Sequence, residues 1–252
     1  MAQFKRTFQN DKLGVQPSDF IIRITRAGDT ATVSEDINYG RFLNIFKAGT
    51  TGTFAVSWNP LDGAQDVEQL IRFRTGGASP AAGRYGILYN RYEGTTEATT
   101  KGFAASFTPA LSVPSVIIFE DSYGTVNSAN FAWQNNQMYW ARFRVVGNTE
   151  FFKIWIDGER EPATWLFSAA YTGPTIASPY SGLGSYMQWG NIQVFYMSAG
   201  TGGDVAPFEF TAIPAPDITG VKTKQWDGLR WIYVNPKARV STEWREVKPK
   251  IQ

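Results

Sequence analysis

Apolar and polar side chains alternate with a period of two along much of this chain, most clearly between residues 139 and 156. In the run YWARFRVV, Tyr139, Ala141, Phe143 and Val145 fall on one face and Trp140, Arg142, Arg144 and Val146 on the other, the periodicity of a strand with one packed face. Gly147-Asn148 then supplies two residues that tolerate positive φ, a second run from Phe151 to Ile156 returns, and Asp157-Gly158 turns the chain again. The pattern predicts an antiparallel hairpin with a turn at each end. Further strands are expected over residues 20–25, 42–46, 53–58, 67–74, 85–91, 102–108, 116–120, 130–133 and 188–197.

So many short runs, punctuated by 24 glycines and 13 prolines, favour strands over helices, and no amphipathic helix stands out. The chain has 252 residues, 43% of them hydrophobic and 15% aromatic, enough to bury a substantial core. The expected fold is all-β: a two-sheet antiparallel jelly-roll sandwich with a small β appendage at the C-terminal end.

The stretch 139–165 resembles the concanavalin A-like, laminin-G-like jelly-roll domains of tailed-phage virion proteins. It has their aromatic-rich arginine strand (Tyr139 to Arg144), a tryptophan-bearing strand (Trp155), Asp157-Gly158, and Glu161-Pro162-Ala163-Thr164-Trp165. Shorter matches at 53–60, 70–77, 85–94 and 181–208 extend the resemblance over most of the chain. It implies a non-enzymatic virion structural protein of a tail fibre, spike or baseplate periphery, contacting host-surface glycan or neighbouring subunits. A capsid decoration protein and a polysaccharide-degrading glycoside hydrolase are the alternatives, because one fold hosts many functions.

Four segments are expected: an N-terminal arm (1–15) packing along the body or reaching a neighbour, the jelly roll (16–210), a proline-rich linker (211–220) and a docking tail (221–252). In the tail, Trp231-x-x-Val234-x-Pro236-Lys237 recurs as Trp244-x-x-Val247-x-Pro249-Lys250, resembling the short tryptophan repeats that close many phage tail proteins. Two such units bury little core, so Trp226, Trp231 and Trp244 are expected to be buried anchors against other virion proteins. The tail carries eight lysines and arginines against three acids, net +5; with +2 for the whole chain, −3 remains for residues 1–220.

Cysteine and histidine are both absent, which removes thiol nucleophiles, imidazole bases, disulfides and the usual zinc sites. The opening MAQFKRTFQNDKLG lacks a secretory apolar stretch and no segment is apolar enough to insert in a bilayer; synthesis in a host cytoplasm and assembly into a virion are expected. A symmetric homo-oligomer such as a trimer is expected from the many aromatics. Neither a cofactor nor a metal ion is expected.

Retaining glucanases of this fold present two carboxylates to one sugar. Here Glu120-Asp121 point to opposite faces of a strand and Glu159 and Glu161 sit in a turn, so no catalytic pair is assigned. For binding, two loops carry amides, hydroxyls and aromatics: residues 121–136, with Tyr123, Asn127 and Asn130, and residues 171–186. Arg72 and Arg74 alternate with apolar residues as Arg142 and Arg144 do, so two strands present paired arginines outward. Trp140 joins them, with Lys153 and Trp155 as an extension. If the strands are neighbours, the strip suits an anionic polysaccharide or an acidic partner; the alternative is a sheet face locked by pairs to Asp and Glu. Nucleic acid is disfavoured by the acidic body.

Overall fold

A computed structural model of the chain describes residues 1–49, 52–76, 84–96, 99–108, 115–120, 124–132, 137–171, 173, 175–186, 190–208 and, further on, 223–226, 231–234, 239–240 and 243–244. Two antiparallel sheets form a sandwich. The first runs β13 (Phe167–Ala170), β12 (Thr149–Ile156), β11 (Tyr139–Val146), β6 (Val67–Gly76), β15 (Gly190–Thr201), β4 (Gly40–Lys47) and β3 (Thr30–Asp36), with β1 (Ala2–Thr7) beside the last residues of β15. The second runs β10 (Gly124–Asn130), β9 (Ser115–Glu120), β8 (Lys101–Thr108), β7 (Arg84–Glu93), β14 (Tyr180–Tyr186), β5 (Thr53–Trp58) and β2 (Phe20–Ile24). A single turn of 3₁₀ helix lies at Asn59–Leu61, and among the described residues no helix is long and apolar enough to cross a membrane.

The core lies between the sheets, and alternation decides what enters it. Ile71 and Phe73 of β6, Tyr139, Ala141 and Phe143 of β11 and Val194 of β15 meet Val56 of β5, Leu88 of β7, Phe103 of β8 and Leu183 of β14, all fully buried. Each large apolar side chain so buried contributes about 1.5–3 kcal/mol. The hairpin read from the 139–156 pattern is present, with Tyr139 opposite Ile156 and Val146 opposite Thr149. Its turns need left-handed backbone at Gly147 (φ 55°) and Gly158 (φ 96°), which glycine adopts without strain.

Some elements differ from the pattern. The strand expected at 130–133 lies earlier, at Gly124–Asn130, because its sequence GTVNSAN is mostly polar and gives no apolar alternation. The polar start of the chain lies along the body as β1, pairing Ala2 with Thr201 through Thr7 with Tyr196. Most of the described aromatics are inside: among the described large hydrophobics that are exposed, Phe208 is the only aromatic.

The chain divides into two compact units, Met1–Glu35 with Arg41–Glu209, and Asp36–Gly40 with Phe210–Gln252. In the second, β16 (Thr223–Trp226) pairs with β17 (Trp231–Val234), and β18 (Arg239–Val240) with β19 (Glu243–Trp244).

Candidate functional site

The arginine strands are neighbours as the strip required. Trp140 of β11 lies between Arg72 of β6 and Trp155 of β12, and Arg142 pairs with Lys153. The face is nevertheless not open. The Arg72 and Arg142 side chains keep 4% and 5% of their surface, and Trp140 keeps 2%. Carboxylates returned by the turn after β12 lie over them: Arg72 donates to both oxygens of Asp157 at 3.0 and 2.5 Å, and Trp140 Nε1 donates to Asp157 at 2.7 Å. Arg142 donates to both oxygens of Glu161 at 2.8 and 2.9 Å, to Glu68, and to the Ala206 carbonyl at 3.0 Å.

Around that centre most other groups are engaged as well, although Trp155 Nε1 is buried with no hydrogen-bond partner among the described residues. Glu68 accepts the Ala206 N–H at 3.0 Å, Lys153 meets Glu161 at 2.7 Å, and Phe208 packs on Trp140 with ring centroids 4.8 Å apart. Arg74 donates to Gln193 at 2.5 Å, and Arg144, 28% exposed, reaches Glu68 at 3.4 Å. Burial works to raise the Glu161 carboxyl, but hydrogen bonds from Arg142 and Lys153 outweigh it and hold it below the usual carboxylate range. The expectation of an outward basic strip is therefore corrected: the sequence shows the cations, while their counter-ions arrive from 157–161 and from Glu68. The Asp-Gly and Glu-Pro signature is the lid of an internal ion-pair cluster, which also commits Glu161.

Of the amide loop 121–136, residues 124–132 are described. Asn127 donates to the Ser168 carbonyl at 3.2 Å, tying β10 to β13, and its oxygen accepts the Ser128 N–H at 2.8 Å. Asn130 is exposed at the end of β10, opposite Ser115. Tyr123 lies outside the described residues. In the tail the backbone places Trp226 opposite Trp231 and Trp244 opposite Arg239; their side chains lie outside the described residues.

A cleft of about 250 Å³ opens instead where the segment before β6, the β11–β12 turn, β7 and the chain after β13 meet. Gln65 and Asn148 bring side-chain amides, Tyr171 a phenol ring and Thr175 a hydroxyl, over buried Arg91 and Ile176. Its geometry begins in β7, which loses register with β8 between Asn90 and Glu93. There Arg91 takes φ 47°, a conformation uncommon for a residue with a Cβ.

Arg91 acts as a strut. Its Nε donates to the Gln65 carbonyl at 2.6 Å, Nη1 to the Gly147 carbonyl at 2.6 Å and Nη2 to Asp66 at 2.9 Å. Asp66 also accepts the Gly147 N–H at 3.0 Å, and the Tyr171 N–H donates to the Asn148 carbonyl at 2.8 Å, so three walls are tied to one guanidinium. Below, Arg91 lies over the Phe103 ring, which packs against Tyr171 at 4.4 Å. Burial pushes Arg91 down from the ordinary arginine value, and the Asp66 charge opposes it.

The fourth wall is held by charge as well. Lys101 donates to the Thr175 carbonyl at 2.9 Å and lies 3.7 Å from Glu93, which accepts the N–H groups of Ala177 and Ser178. Burial works to raise Glu93, but those two N–H donors and Lys101 outweigh it and hold it below its usual value. Cation and anion are thus paired around the cleft. The side chains of Gln65, Asn148 and Thr175 make no hydrogen bond among the described residues, and it is these that a ligand would meet.

The segment expected as a loop over 171–186 is corrected in its second half, since Tyr180–Tyr186 is β14; its first part reaches the cleft at Tyr171, Gly173, Thr175 and Ile176, whereas Gln65, Arg91 and Asn148 were not legible. Asn148 reads as a turn residue and Arg91 as a strand end, and nothing local in the sequence brings them together. Among the described residues no acidic cluster is fit to hold a metal ion.

No protein-family profile matches the chain, and no curated protein matches it in sequence. Solved structures do match in shape. Lectin II from Ulex europaeus is 10% identical with a TM-score of 0.55, over 79% of this chain and 97% of that one. The basic winged bean lectin solved with Tn-antigen is 11% identical with a TM-score of 0.52, over 80% and 100%. A protein of unknown function from Shewanella oneidensis MR-1 is 12% identical with a TM-score of 0.51, over 78% and 84%. At such identities the likeness is one of fold, the two-sheet antiparallel jelly roll of concanavalin A-like lectins.

Proposed function

We propose that this protein is a non-enzymatic carbohydrate-binding module whose end cleft takes one neutral sugar unit. The observation that carries the reading is the convergence of uncommitted Gln65, Asn148 and Thr175 side chains beside Tyr171, over an Arg91 whose charge is already matched by Asp66. Amides and hydroxyls complement ring hydroxyls, and an aromatic ring complements a sugar's apolar face. About 250 Å³ lies below the roughly 300 Å³ at which pockets for drug-sized ligands begin, which suits one ring of a longer glycan. Sharing a fold with lectins is compatible with this reading but does not locate a site.

The wider setting belongs to the same proposal. The resemblance of 139–165 to tailed-phage virion domains and the basic 221–252 tail support a virion protein whose tail attaches to other virion proteins while the body meets host glycan. Deleting 221–252 should abolish particle incorporation and leave the body folded; assembly of the truncated form would refute the attachment role.

Binding is tested by calorimetric titration of the full chain with neutral hexoses, N-acetylhexosamines and hexuronates, beside Asn148→Ala. Saturable binding of a neutral sugar, lost in the variant, is expected. Absence of binding across the panel overturns the reading.

A further inference from the structure

Two fully buried amides sit in the apolar core close to the cleft without lining it. Gln69 of β6 reaches the opposite sheet, its Nε2 donating to the Tyr89 carbonyl at 2.7 Å and to Asn90 Oδ1 at 2.6 Å. Asn90 of β7 reaches back, its Nδ2 donating to the Phe143 carbonyl at 3.0 Å and the Val67 carbonyl at 3.4 Å. Each amide therefore holds the backbone of the other sheet, and the two hold each other.

Apolar contacts between sheets are not directional, so they fix the spacing of the two layers better than their lateral offset. Hydrogen bonds in a low-dielectric core are directional and strong. The pair is kept at a cost, because Gln69 Oε1 is buried with no hydrogen-bond partner, a penalty that an apolar side chain of similar size avoids. The next residue after Asn90 is Arg91 at φ 47°. Strained backbone of this kind persists only where its surroundings over-determine it, and it clusters at functional sites. Opposite the irregularity stands Gly102, at which a Cβ would lie 2.5 Å from the Arg91 carbonyl oxygen. Amides, irregular backbone and glycine converge on the residue that ties the cleft walls together.

We propose that Gln69 and Asn90 are positioning residues for the cleft: a two-amide pin between the sheets that fixes β7 and so sets Arg91 against Gln65, Asp66 and Gly147. The purpose assigned to the pin rests on the sugar-binding reading, whereas its geometric action does not.

The test is hydrogen exchange by mass spectrometry on the full chain, combined with sugar titration. Gln69→Leu/Asn90→Leu removes both amides together, so that neither is left buried without the other. Gln69→Met breaks half of the pin at the same side-chain length, in case the double variant folds poorly. Leu183→Ala, a core truncation that leaves both amides in place, serves as a control for general destabilisation. Exchange in 62–66, 145–150 and 171–176 should rise about tenfold through local opening while β4 and β15 stay protected, and affinity for a neutral sugar should fall about tenfold. A uniform rise across all strands matching Leu183→Ala, or no rise at the cleft walls, overturns the proposal. So does unchanged affinity in a variant of a chain that binds sugar. If the wild type binds no sugar yet the local exchange appears, the pin stands and the sugar reading falls.

Discussion

Arg142 and Glu68, on neighbouring strands but out of direct register, form an ion pair whose side chains keep 5% and 2% of their surface. Burial on that scale makes the pair sensitive to loss of one partner. Arg142→Ala leaves Glu68 without its main counter-ion and should cost about 3–5 kcal/mol. Arg144→Ala, at the 28% exposed neighbour, should cost less than about 1 kcal/mol. Urea unfolding of the two variants checks the order; equal costs would show that the Glu68 cluster is not the anchor described.

Glu161 predicts a dependence on acid. Its carboxyl lies below the usual range because Arg142 and Lys153 outweigh the effect of burial, so the folded state holds this proton less tightly than the unfolded state. The resulting stability is fully present above the unfolded carboxylate value of about 4.3 and is lost as pH falls through the lower folded value. Glu161→Gln should reduce stability at neutral pH by about 1–3 kcal/mol and flatten the acid limb of a melting-temperature profile. An acid limb identical to that of the wild type would contradict this.

The Tyr171 ring depends on Gly173. A Cβ there would lie 2.6 Å from the ring's Cζ and Oη atoms, so Gly173→Ala should swing the phenol aside, off the Phe103 ring on which it packs. Affinity for a neutral sugar is expected to fall about tenfold, or roughly 1.4 kcal/mol, in a variant that stays folded. Retained affinity would remove Tyr171 from the site.

What the sequence shows and what it hides follow from range. The 139–156 hairpin was legible because its periodicity and both glycine turns are local, and β5 appeared at 53–58 as read. β10 was misplaced because polar GTVNSAN pairs through backbone that carries no sequence signal. The arginine alternation was real, yet the solvent reading failed at Arg72 and Arg142, because Asp157 and Glu161 fold back over them from a following turn. The cleft was least legible. Gln65, Arg91, Asn148 and Thr175 are far apart in sequence and become neighbours only when the sandwich closes.

Paired charge around the cleft also predicts indifference to salt. If Arg91 is already matched by Asp66 and Lys101 by Glu93, binding of a neutral sugar should change less than about twofold between 0.05 and 0.5 M salt, since little unscreened charge is left to shield. A steep loss of affinity with salt, measured by calorimetry, would point to an anionic ligand instead.

The most direct measurement is a map of backbone amide chemical shifts during titration with a neutral hexose and, separately, a hexuronate. Saturable shifts confined to 65–66, 91, 147–148 and 171–176 with the neutral sugar, and none with the hexuronate, are the predicted result. Stronger binding of the hexuronate, or shifts centred on Arg142 and Arg144, would contradict the account.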